Sequence, residues 1–341
     1  MKHQFRNDYS SLAHPRILEA LTRLGATQQT AYGLDEHSLH AEELIKQRFG
    51  CPDAAVHFLC GGTQANLVFL SYALKPYEAI IACSSGHINV HEAGAVEATG
   101  HKIFTVPGKD GKVYPEDVEK ALALHGDEHV VVLRCVYISN TTETGTLYTS
   151  KELQELSACC RKHGLLLFLD GARLGSALTS SYNDLTPEEV ASYCDAFYIG
   201  GTKNGLPLGE ALVLVNPDLQ AHFRNFVKSR GAMLAKGYFV GAMFEEAFKD
   251  GLYFELAKKT NEVAEYLKEG LAKLGLSCPF SPSNQVFLTL PKDKALKVIA
   301  EYGCEKWEDL GDELTIRFVT SFTSEKEDVD DLLSFLSSTI G

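Results

Sequence analysis

The segment Leu165-Leu166-Leu167-Phe168-Leu169-Asp170-Gly171-Ala172-Arg173 is an unbroken run of five apolar residues closed by an acid, a glycine and an arginine. A short apolar run bounded by turn residues reads as a strand buried on both faces. Ala196-Phe197-Tyr198-Ile199 repeats the pattern between Asp195 and the Gly200-Gly201 pair, and leads into Thr202-Lys203-Asn204-Gly205. Working outward, strand-like runs occupy 55–59, 79–83, 102–106 and 130–138, and helical spacing recurs at 15–24, 39–49, 64–74, 88–98, 115–124 and 150–163. Alternation of this kind predicts an α/β fold, a mostly parallel sheet with helices on both faces.

Beyond Lys203, the run 211–215 is another strand, stopped by Asn216-Pro217. Helical spacing then dominates 218–274, with a break near Asp250-Gly251. The tail changes character: strands are expected at 286–290 and 313–319, and helices at 292–302 and 325–338. A large α/β domain with an N-terminal arm over 1–251 and a smaller α+β C-terminal domain over 252–341 follow as the expected organisation.

The chain has 341 residues, enough for two domains with a large core. Its formal net charge of −13 disfavours a nucleic-acid partner held through phosphates. The segment from Met1 to Asp8 lacks an apolar signal core and no run approaches the length of a membrane span, so a cytoplasmic protein with no membrane partner is expected. Nine cysteines, none in a C-x-x-C pair, argue for buried free thiols over a disulfide scaffold or a zinc ribbon.

In open α/β sheets ligands bind beyond the carboxyl ends of the strands, so Asp170 and Lys203 are expected to face one crevice. Such a pair is what a pyridoxal 5'-phosphate (PLP) site needs: the lysine forms the Schiff base, and the acid keeps the pyridine nitrogen protonated so that the ring accepts electrons. Singly, the two residues would also read as a surface lysine and a helix-capping aspartate. Cys60-Gly61-Gly62-Thr63 lies between a strand and a helix, where Gly62 and Thr63 could hold a phosphate on free N–H groups, with Thr63 as the N-cap; a plain tight turn has the same composition. Ser85-Gly86-His87-Ile88-Asn89-Val90-His91-Glu92 sets two histidines on one face if it is helical. With no H-E-x-x-H order and no third ligand, no metal is expected; His87 suits ring stacking or general-base work instead.

At this point the residues resemble a family, the PLP-dependent threonine aldolases of the β-eliminating lyase group. The resemblance rests on Asn7-Asp8 with His14-Pro15-Arg16, Tyr32-Gly33, Gly61-Gly62-Thr63, His87 with Glu92-Ala93-Gly94, Asp170-Gly171-Ala172-Arg173-Leu174, Thr202-Lys203 and Arg317-Phe318-Val319-Thr320. It implies the aminotransferase-like PLP-dependent fold type I and retro-aldol cleavage of a β-hydroxy-α-amino acid, such as L-threonine or L-allo-threonine, to glycine and an aldehyde. It further implies that Lys203, Asp170 and His87 are catalytic, that Gly62 and Thr63 bind phosphate, and that Arg173 and Arg317 grip the substrate carboxylate through paired hydrogen bonds. Tyr32 matches a tyrosine that reaches a neighbouring subunit's site, which implies a homodimer or homotetramer with shared sites. Three departures stand out. Asn7 replaces a serine at the substrate carboxylate, Leu34 replaces an acid, and Ser229-Arg230-Gly231-Ala232-Met233-Leu234-Ala235-Lys236-Gly237 leaves Arg230 or Lys236 as the phosphate-binding cation. Other β-eliminating lyases, amino-acid racemases and aminotransferases are the rivals among enzymes, differing in which bond stands perpendicular to the ring, and a non-catalytic PLP-binding regulator is the alternative outside enzymes.

Overall fold

The computed structural model describes residues 2–25 and 27–340, so the outer ends of the two expected domains, Met1 and Gly341, lie outside the described residues. Ten strands are present among them: β1 (Ala55–Leu59), β2 (Glu78–Cys83), β3 (Ile103–Val106), β4 (Val132–Ser139), β5 (Leu166–Asp170), β6 (Ala196–Gly200), β7 (Glu210–Leu214), β8 (Gln285–Pro291), β9 (Glu305–Asp309) and β10 (Glu313–Val319). The first seven form one sheet in the order β1-β7-β6-β5-β4-β2-β3. Only β7 runs against its neighbours; the pairs β6/β5, β5/β4, β4/β2 and β2/β3 are parallel. Every residue of β5, β6 and β7 is buried, which is why these strands carry continuous apolar runs instead of alternation.

Two apolar clusters cover the faces of this sheet. On one side Val136, Leu167, Leu169, Phe197, Ile199 and Val213 pack with residues of the helices Glu36–Phe49, Ser150–Lys162 and Tyr238–Lys249. On the other, Cys135, Leu166, Phe168, Tyr198 and Leu212 meet the helix Gly62–Ala73. A third cluster closes the antiparallel sheet β8-β10-β9 against the helices Lys292–Tyr302 and Lys326–Ile340. The 22-residue helix Leu252–Lys273 joins the two cores: Leu252, Tyr253 and Leu256 belong to the large one, while Val263, Ala264, Leu267 and Leu271 belong to the small one.

The N-terminal arm straps both parts. Phe5 is fully buried, its N–H donates to the Tyr302 carbonyl and its carbonyl accepts from Val319. Three residues on, Asp8 bonds to Arg173 of the large sheet's loops and to Asn284 just before β8.

The expected helix over 88–98 is instead a single turn, His87–Val90, followed by a turn and a short 3-10 segment, Glu97–Thr99. Ala93 and Gly94 both take positive φ there, 52° and 75°, a left-handed backbone that ends a right-handed helix. Three elements escaped the sequence reading: the helices Leu174–Thr179 and Pro187–Tyr193, and β9. No described helix is long and apolar enough to cross a membrane.

Candidate active site

The carboxyl ends of β1, β4, β5 and β6 open on one side of the sheet around a cavity of about 550 Å³. Lys203, Asp170, His87, Gly62, Thr63, Arg173 and Arg317 all line it. Asn7, Tyr32, Arg230 and Lys236 do not.

Lys203 follows β6 on a loop folded tightly back on itself. Gly201 N–H donates to the Gly209 carbonyl at 3.0 Å, and a Cβ on Gly201 would come within 2.6 Å of that oxygen, so the loop needs glycine there. Thr202 is fixed by Glu210, whose Oε1 accepts its hydroxyl at 2.8 Å while Oε2 accepts Gly201 N–H at 3.0 Å. Burial raises the Glu210 pKa to about 8. Lys203 itself makes no hydrogen bond or ion pair among the described residues; its Nζ lies 6.0 Å from the centre of the Tyr9 ring. Burial and the Arg173 charge lower its pKa, which favours the uncharged, nucleophilic amine.

Asp170 ends β5 and is 3% exposed, yet it stays ionised. Burial opposes the charge, but the His87 charge and hydrogen bonds from Tyr137, Tyr198 and Asn66 outweigh it and lower the pKa. Its Oδ1 accepts from the Tyr198 hydroxyl and from Ala172 N–H at 3.0 Å; its Oδ2 accepts from the Tyr137 hydroxyl and from Asn66 Nδ2 at 3.1 Å. Asn66 also donates to Glu92, which holds His87 Nδ1 at 2.7 Å. Burial works against a charged His87, but Glu92 and Asp170 together raise its pKa. The imidazole, Glu92 and Asp170 are thus bound up with one another, and His91, whose ring lies 5.5 Å from that of His87, stands apart from the cluster.

Thr63 does not cap the following helix as the sequence suggested. The glycine pair lets the helix start one residue earlier, at Gly62, with Gly61 as a cap that offers no side chain. The first-turn N–H groups therefore lie beside the cavity without a side-chain partner, as an anion site requires. A Cβ on Gly62 would come within 2.9 Å of the Tyr198 hydroxyl that anchors Asp170.

The two arginines approach from different parts of the fold. Arg173 donates from Nε and Nη2 to Asp8 at 2.7 and 3.1 Å. Arg317 on β10 donates to Gln285 at 3.0 Å and to Glu305, and stacks over Trp307 with 5.0 Å to the ring centre; its buried Nε has no partner among the described residues. Asn7 is spent locally, its Oδ1 accepting from Tyr9 N–H and the Ser10 hydroxyl, which turns the chain so that Tyr9 reaches the cavity. Tyr32, Arg230 and Lys236 lie elsewhere. Tyr32 N–H donates to the Ala235 carbonyl, its ring is 41% exposed, and the Arg230 guanidinium sits over Phe226.

Residues 4–292 match the profile of a family described as beta-eliminating lyase. The chain belongs to the beta-eliminating lyase family. Within it, the chain is 30% identical to the low specificity L-threonine aldolase of Pseudomonas aeruginosa over 96% of its own length and 95% of that protein's. It is 26% identical to the Escherichia coli low specificity L-threonine aldolase over 87% of each. A Leishmania major threonine aldolase structure superposes with a TM-score of 0.97 at 44% identity, covering 99% of this chain and all of that one. The fold is the aminotransferase-like fold type I: an aspartate aminotransferase from Thermus thermophilus, 16% identical, superposes with a TM-score of 0.72 over 99% of this chain and 92% of that one.

The donor set of this lyase fits PLP. An amine of lowered pKa, an acid kept ionised despite burial and open N–H groups at a helix start line one cavity, matching an aldehyde, a pyridine nitrogen and a phosphate. Sequence reading missed Asp8, Glu143, Glu210 and Glu305. Apart from Asp8, which lay inside the Asn7-Asp8 motif, no spacing marked them.

Proposed function

We propose that the protein is a PLP-dependent threonine aldolase, a carbon–carbon lyase that cleaves L-threonine and L-allo-threonine to glycine and acetaldehyde. The observation that carries this reading is the convergence of Lys203, Asp170, Arg173 and Arg317 on one cavity. Lys203 would hold the cofactor, Asp170 its ring nitrogen, and Gly62 and Thr63 its phosphate, with His87 over the ring. When bound, PLP supplies an electron sink for the carbon pair released at Cα.

The chain's own residues do the rest. Arg173 and Arg317 fix the substrate carboxylate, and planar guanidinium groups set its orientation as well as its charge. Asp8 keeps Arg173 aimed from behind. The arm therefore shapes the site through Asp8 and Tyr9, with Asn7 acting through the turn that places them. Tyr32, Arg230 and Lys236 do not line the chain's own cavity, so their expected roles are assigned to a second copy's cavity in a homodimer or homotetramer. Residues 1–251 and 252–341 are the two domains, with the helix Leu252–Lys273 as their shared wall. Nine free cysteines, eight of them buried or partly buried, favour a reducing compartment, and the cytoplasm is proposed.

Aldehyde and glycine release from L-threonine, L-allo-threonine and phenylserine tests the reading. Release is expected with the wild type and is lost in Lys203→Ala, together with the visible absorbance of the lysine-bound cofactor. Retained absorbance in Lys203→Ala sinks the anchor assignment. Cofactor absorbance without aldehyde from any of the three substrates favours another lyase, a racemase or a PLP-binding regulator.

A further inference from the structure

Glu143 stands on the cavity wall, on the segment that follows β4. The bonds it receives from other residues fall on one oxygen: Oε1 accepts from the Ser139 hydroxyl at 2.8 Å and from His87 N–H at 3.1 Å, while its own backbone N–H also supports the carboxyl. Among the described residues no other residue donates to Oε2, and no lysine or arginine pairs with the group. The other acids of the cavity are committed. Asp170 is bound through both oxygens, Glu210 spans Thr202 and Gly201, and Glu305 holds Arg317.

We infer that Glu143 is a catalytic residue whose Oε2 takes the β-hydroxyl proton of the substrate as the Cα–Cβ bond breaks. The inference rests on the aldolase reading and deepens it. In the step, the O–H proton passes to the Glu143 carboxylate and the O–H pair becomes the second C–O bond of the leaving aldehyde. The Cα–Cβ pair stays at Cα, which is then protonated to give glycine.

The electrostatics agree with that role. Burial and the Asp170 charge raise the Glu143 pKa, against the lowering pull of Ser139, the backbone and His87. Asp170 moves the opposite way, and two acids whose environments separate their pKa values mark a division of labour in a site. The titratable and charged groups around Glu143 are Asp170 at the end of β5, His87 on its short helix, Tyr137 on β4 and Arg173 after β5. His87 has its Nδ1 tied to Glu92, and its raised pKa keeps the ring in its charged form to higher pH, so it is less available to take a further proton. Burial and the His87 charge lower the His91 pKa, but the ring is exposed at the rim.

The test compares wild type, Glu143→Gln, Glu143→Asp and His91→Asn as holoenzymes with L-threonine across pH. Glutamine keeps an acceptor oxygen for Ser139 and His87 but cannot take the proton. The wild-type kcat/KM should rise with pH through a limb above the usual carboxylate range. Glu143→Gln should lose that limb and about 100-fold or more in kcat, Glu143→Asp should retain part of the activity, and His91→Asn should keep the limb. Glycine, which has no β-hydroxyl, should bind wild type and Glu143→Gln equally. Infrared spectra recorded across that limb should show one carboxyl band that titrates with it in the wild type and is missing in Glu143→Gln, while the Glu210 band is common to both.

A Glu143→Gln enzyme that keeps both its limb and most of its kcat overturns the inference. So does loss of the limb in His91→Asn, or a weakened glycine affinity in Glu143→Gln, which would make the residue a support for His87. If the wild type releases no aldehyde from any β-hydroxy amino acid, the aldolase reading falls and this inference with it; an active wild type beside an active Glu143→Gln sinks the inference alone.

Discussion

Replacing Asp8 by asparagine should destabilise the protein more than any other conservative change in the arm. Asp8 is 1% exposed, receives two hydrogen bonds from Arg173 and one from Asn284, and so ties the arm to both sheets at once. Asparagine of the same shape leaves a buried guanidinium without its counter-charge. Breaking a buried ion pair from one side costs about 3–5 kcal/mol, because the remaining charge stays desolvated. An unfolding entropy of about 2.1 cal/mol/K per residue amounts to roughly 0.7 kcal/mol/K for a chain of this length. The expected fall in Tm is therefore about 4–7 °C at pH 7.

The pH dependence of that difference has a definite sign. Burial raises the Asp8 pKa, but the Arg173 and Lys203 charges and the hydrogen bonds from Arg173 and Asn284 outweigh it, so the folded pKa is lowered. A depressed carboxyl contributes stability that is fully present above its unfolded pKa of about 4 and is lost as pH falls through the folded value. Calorimetric Tm values of wild type and Asp8→Asn should thus lie furthest apart near neutrality and converge in acid. A second variant, Asp8→Asn with Arg173→Met, should recover part of the loss, since it removes the stranded charge. A Tm difference under about 1 °C at pH 7, or a gap that widens as pH falls, would refute the reasoning.

Two further outcomes follow from the cavity. Glu305 pairs with Arg317 and would compete with an incoming carboxylate, so Glu305→Gln should lower KM for L-threonine by about 2- to 5-fold, the scale of a partly exposed ion pair; a higher KM would mean that Glu305 itself grips the substrate. Gly171→Ala should cost about 3 kcal/mol and reduce cofactor binding, because its Cβ would come within 1.9 Å of the Tyr198 carbonyl between β5 and β6; a Tm equal to that of wild type would contradict the close approach of those strand ends.

What the sequence disclosed and what it hid divide along one physical line. Strands buried on both faces announce themselves, since β5 and β6 must be apolar at every position, and Asp170 and Lys203 stand out because they interrupt or follow such runs. Element β9 could not be read: in Glu305-Lys306-Trp307-Glu308-Asp309 no residue is fully buried, and the strand exists because β10 offers it a ladder. The segment 88–98 misled for a related reason. Ile88 and Val96 are both buried as a helix would bury them, but the backbone connects them through left-handed Ala93 and Gly94. The acids of the site are the extreme case. Asp170 and Glu143 carry the same functional group, yet the His87 charge and four donors favour the anion of one, while burial and the Asp170 charge push the other towards its protonated form. Proton affinity is a property of surroundings created by folding: the His87 charge with Tyr198 and Asn66 for one, burial and the Asp170 charge for the other. Residue type and position therefore pointed to Asp170 and Lys203, which line the cavity, and could not point to Glu143, whose proton affinity is set only by what the fold places around it.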